Sequence, residues 1–87
     1  MPLNAKQFLK SKIHKKILLF FVENEGSIDT ARGLSVWTNQ NIVIVTKALE
    51  ELAAAGFLKA HRTSSTVGYS CVLNGKKLQN LISRADA

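Results

Sequence analysis

The chain has 87 residues, 46% hydrophobic and 21% charged, with twelve Lys/Arg against six Asp/Glu for a net charge of +6. That balance excludes the disordered class and is enough for one domain with a small core. A single cysteine, Cys71, excludes an internal disulfide and a thiolate-rich metal site.

The first stretch, LNAKQFLK at 3–10, is weakly periodic and reads as an arm or a short helix. From Ser11, a candidate N-cap, Ile13, Ile17, Phe20 and Phe21 form a helical stripe that Leu18 and Val22 widen. Lys12, Lys15 and Lys16 fall on the other side, and NEG at 24–26 ends the helix with Gly26 in the left-handed position. A second helix starts at a cap on Ser27 or Asp29, faces Ala31, Leu34 and Ser35 inward, and ends near Trp37. TNQN at 38–41 then interrupts the apolar pattern with residues that suit a turn and an N-cap.

A third helix is expected over 41–55, with Ile42, Val45, Leu49 and Leu52 facing inward and Gly56 as its stop. The β-branched run Ile42–Val45 favours a strand by propensity, but the leucine spacing and ALEELAAA carry the helix. FLKAHR at 57–62 and GYSCVL at 68–73 alternate around TSSTV and read as a two-stranded hairpin. Asn74 can cap a closing helix over 75–84, with Leu78, Leu81 and Ile82 on one side. With no repeat, low-complexity tract or linker, the whole span 1–87 reads as one unit.

The basic charge lies at both ends. Residues 1–22 carry five lysines and no acid, residues 23–51 sum to −3, and residues 52–87 sum to +4. Such a distribution favours a polyanion or an anionic surface as partner. The longest compact apolar run, ILLFFV at 17–22, is far short of a membrane span, and MPLNAKQFLKSK lacks a signal-peptide core. The expectation is a cytoplasmic protein with no membrane partner. His14 and His61 have no ligand or triad partners in the pattern and read as exposed or partly satisfied. Cys71 alternates with Tyr69 and Leu73 and reads as core packing. No nucleotide loop, metal motif or paired-carboxylate pattern is present, so neither an enzyme, a metal nor a cofactor is expected.

The order helix, helix, turn, helix, hairpin, helix resembles the winged helix-turn-helix superfamily, especially small bacterial and archaeal transcriptional regulator domains. The resemblance is carried by VTKALEELAAAGFL at 45–58 and covers about residues 11–73. Leu49 and Leu52, then Ala55, Gly56 and Phe57, match the family's leucine pair and its Ala-Gly-hydrophobic exit into the first wing strand. It implies an α+β fold, with a three-helix core, a two-stranded wing and a C-terminal helix. It also implies duplex DNA as ligand, often through a symmetric dimer. TNQNIVIV makes a longer and more polar turn than the compact family pattern. Val43, Ile44, Lys47 and Glu51 lie toward the exposed side of the third helix.

The expected DNA-binding residues are Thr38, Asn39, Gln40 and Asn41 at the tip of the third helix, with Lys47 on its flank. Lys59, His61, Arg62, Ser64 and Ser65 of the hairpin reach the adjacent backbone. Asn39, Gln40 and Asn41 also admit a bland reading as turn-and-cap residues. The lysines at 10–16, with Lys76, Lys77 and Arg84, read as solvated faces. Leu3, Phe8 and Leu9, with Leu78, Leu81 and Ile82, exceed the needs of one small core, so a homodimer is expected. The rival expectation keeps the fold as a protein-interaction module in a larger assembly, or as a non-specific architectural DNA binder.

Overall fold

The computed structural model describes residues 11–73 and 75–86, with the side chains of 75, 81 and 83–86 outside the description. Segment 3–10, the Asn74 cap and the contribution of Leu3, Phe8 and Leu9 therefore lie outside the described residues. The elements run α1 (Lys12–Glu23), β1 (Asp29–Thr30), α2 (Ala31–Thr38), α3 (Ile42–Ala54), β2 (Leu58–Arg62), β3 (Val67–Cys71) and α4 (Gly75–Asp86). This is a small α+β domain of helices and a three-stranded antiparallel sheet, in general terms consistent with a winged-helix-like fold.

Helix α1 buries Ile17, Leu18, Phe20 and Phe21, the stripe its spacing predicts, and leaves Lys12 and Lys16 exposed. Ser11 sits at the N-cap position, but its side chain makes no capping bond. At the other end the Asn24 amide and carboxamide both donate to Phe20 O, and Gly26 turns the chain at φ 83°.

The sheet differs from the expected two-stranded hairpin. Residues 29–30 form a third strand on β3, with Asp29 opposite Tyr69 and Thr30 opposite Gly68, so the order is β1-β3-β2. The start of α2 shifts with it. Neither Ser27 nor Asp29 caps the helix. Thr30 does, its hydroxyl accepting from Gly33 N, while Asp29 Oδ1 accepts from Thr30 N. A Cβ at Gly33 would overlap the Asp29 carboxylate, so a larger residue there requires Asp29 to move from its bond to Thr30 N.

Helix α2 runs through Thr38, and Asn39 stops it at φ 56° and ψ 42°, a left-handed conformation that asparagine tolerates better than most residues. Only residues 39–41 then separate α2 from α3, so the turn is shorter than TNQNIVIV suggests. Asn41 caps α3 by accepting from Val43 N at 2.8 Å. Val45, Ala48, Leu49 and Leu52 are buried, and Gly56 reverses the chain at φ 88°. Ile42 departs from the expected inward face and is 44% exposed. At the first turn of α3 its flank lines an open groove rather than the core.

Helix α4 packs on α1, and Leu78 and Ile82 join the central core with Leu34, Leu58 and Tyr69. Those two residues, expected as surplus for an association surface, are spent inside the domain. The apolar side chains left uncovered lie elsewhere, among them Leu19, Val36, Trp37, Val43 and Ile44.

Candidate nucleic-acid interface

The buried face of α3 fixes what its other faces can do. With Val45, Ala48, Leu49 and Leu52 inward, about 100° of turn per residue places Val43, Lys47 and Ala54 on the opposite side. Ile42, Thr46 and Glu50 turn toward the β2–β3 hairpin, and Ile44 and Glu51 turn toward α1. Glu51 is held there, with His14 Nε2 at 3.2 Å from its Oε1. His14 is thus a buried residue of the α1 stripe, one turn before Ile17 and Leu18, partly satisfied by Glu51 rather than exposed. The carboxylate nearest a ligand on the hairpin side is that of Glu50, not Glu51.

Between α3 and the hairpin runs a groove of about 470 Å³. Ile42, Thr46 and Glu50 form one wall, and Arg62, Ser65 and Thr66 form the other. Arg32, on the first turn of α2, also lines it. The hairpin tip is tied by Thr63, whose amide donates to Thr66 O at 2.9 Å and whose hydroxyl accepts from Thr66 N at 3.1 Å. That tie carries Ser65 into the groove and leaves Ser64 exposed at the outer tip.

Strand alternation divides the expected hairpin residues. Leu58, Ala60 and Arg62 pair with Cys71, Tyr69 and Val67, so they share the face that looks toward α3. Lys59 and His61 pair with Ser70 and Gly68 and point to the other face. His61 is occupied there, with Nε2 at 2.7 Å from Ser70 Oγ. Lys59 lines a neighbouring hollow shared with Glu50, Ala53, Ala54 and Arg62. The structure brings Arg62 and Ser65 together with α3, and it sets His61 apart.

The tip before α3 divides in the same way. Thr38 is 3% exposed, and its hydroxyl donates to Leu34 O at 2.7 Å, so it presents nothing to a ligand. Asn39, Gln40 and Asn41 are exposed. Asn41 commits its side-chain oxygen to the cap, and Asn39 holds the left-handed turn. Gln40 has only its backbone engaged, by donation to Ser35 O. Lys47 stands exposed one turn beyond Val43. Sequence reasoning missed Thr46, Glu50 and Thr66 on the groove walls and, of its cations, Arg32. Its signal was position, in the first turn of a helix that begins beside the hairpin, and it became readable only once β1 paired with β3.

Cys71 is half-buried against the core, and burial pushes its thiol above the ordinary value while a backbone hydrogen bond at Leu73 acts the other way. It takes no part in the groove. Among the described residues no group of three His, Cys, Asp or Glu could hold a metal ion, and no helix is long and apolar enough to cross a membrane. Compared with known proteins, the chain matches no protein-family model and no curated relative.

Proposed function

We propose that this chain is a winged helix-turn-helix domain that binds duplex DNA, as a transcription regulator acting as a homodimer. The observation that carries the reading is the groove between α3 and the hairpin tip, bordered by Arg32 and Arg62 with Glu50 the one acid on its wall among the described residues, and with Lys47 exposed on the adjoining face of α3, on a chain of net charge +6. The three-residue connection 39–41 has the length of a helix-turn-helix turn. In that arrangement α3 enters the major groove with its first turn toward the base edges, and the hairpin follows the neighbouring backbone. Gln40 and Asn39 then offer amides to bases or phosphates, and Arg62, Ser64, Ser65 and Lys47 serve the backbone. Lys59 contributes long-range charge from the neighbouring hollow.

A second reading, a protein-interaction module, is favoured by Val36 and Trp37. Val36 is 78% exposed, Trp37 packs on Phe20 edge-on at 5.3 Å with its outer side open, and neither lines the groove. Fluorescence anisotropy separates the two readings, using random duplex and the DNA upstream of the chain's own gene across a salt series. About six phosphate contacts give a log–log slope of about −5. Combined alanine substitution of Asn39, Gln40 and Asn41 is expected to weaken binding. Unchanged affinity with the fold intact removes the tip from the interface. No binding at low salt leaves the protein-interaction reading.

A further inference from the structure

We infer that the outward face of α3 recognises the 5-methyl group of thymine, so that the domain prefers A·T pairs beneath the first two turns of the helix. This rests on the duplex-DNA reading above and deepens it. Val43, directly opposite the buried face, is 73% exposed, and Lys47 stands one turn on along the same side. Ile42 flanks them. The Thr46 hydroxyl donates back to Ile42 O at 2.7 Å, so its proton is already committed within the helix. The first two turns therefore present three methyl-bearing side chains and one cation.

In the major groove the pyrimidine 5-methyl is the apolar group on the base edges, and it meets aliphatic side chains by direct contact. Thymine carries that methyl beside the O4 acceptor, whereas methylated cytosine carries it beside an amino donor. Lys47 complements an acceptor and opposes a donor, so the Val43–Lys47 pair selects thymine. Glu50 lines the same hollow as Val43 and Lys47, and its carboxylate suits an amino donor rather than O4, so the selection of thymine requires Lys47 and not Glu50 to meet the base edge. Arg32 and Arg62 border the same groove. An aliphatic strip bordered by three cations and one acid, Glu50, matches a polyanion that bears methyl groups better than it matches an apolar protein surface.

The test compares A·T-centred duplexes containing thymidine with the same duplexes containing deoxyuridine, and G·C-centred duplexes with and without 5-methylcytosine. Each is titrated with the wild-type chain and with Val43→Ala, whose fold is checked by circular dichroism. Deoxyuridine is expected to weaken wild-type binding about fourfold for each contacted methyl, and Val43→Ala to lose most of that discrimination. Equal affinity for thymidine and deoxyuridine duplexes overturns the inference while leaving DNA binding standing. So does discrimination that survives Val43→Ala. A gain on 5-methylcytosine as large as that on thymine overturns the selection of thymine. Failure to bind any duplex overturns both this inference and the reading beneath it.

Discussion

Three adjacent polar residues do three different jobs in the 39–41 turn. Asn39 ends one helix through its backbone, Asn41 begins the next with its side-chain oxygen, and Gln40 bridges them with its amide bonded to Ser35 O. Replacing the Asn41 cap with alanine is expected to lower stability by about 1 kcal/mol, read as a shift in the denaturation midpoint. Aspartate caps as well as asparagine, so Asn41→Asp should keep the stability while its added charge weakens duplex binding about threefold. An Asn41→Asp variant that binds DNA like wild type reduces Asn41 to a cap. The sequence placed this cluster correctly in a turn but could not divide its labour. Thr38 shows why. Its hydroxyl satisfies a carbonyl inside the helix, and that use depends on burial, which neither its polarity nor its neighbours encode.

At the scale of elements, the third helix and the hairpin were legible because their periods are long enough to count. The leucines of α3 overrode the strand preference of Ile42–Val45, and Gly56 marked the exit. Strand β1 was not legible, since two residues carry no period and their partners lie far along the chain. The separation of His61 from Arg62 was readable in principle, by parity once the register of β2 was known. The same geometry locates an unfavourable charge. Glu50 lines the groove together with Arg62 and Thr46, where it opposes phosphate. Glu50→Gln is expected to tighten binding to random duplex about threefold at low salt, and less as salt rises. Weaker or unchanged binding in a low-salt anisotropy titration argues that DNA does not enter by this wall.

For the whole molecule, the placement of α4 changes which surfaces are left to associate. Leu78 and Ile82 complete the core around Ile17 and Leu18, so this part of the expected apolar surplus at the ends is spent internally. A homodimer has instead Val36 and Trp37 available on α2. Sedimentation at tens of micromolar is expected to give twice the 9.6 kDa chain mass, and Val36→Asp to return the monomer. A wild-type chain that sediments as a monomer removes the dimer from the proposal. The third strand has a different consequence, one for the entropy of recognition. A hairpin attached only at its base would be ordered by its ligand, and that loss of freedom would be subtracted from affinity. Here β1 pins β3 to the start of α2, so the width of the groove is set as the chain folds. Whatever enters meets a mould that has already set.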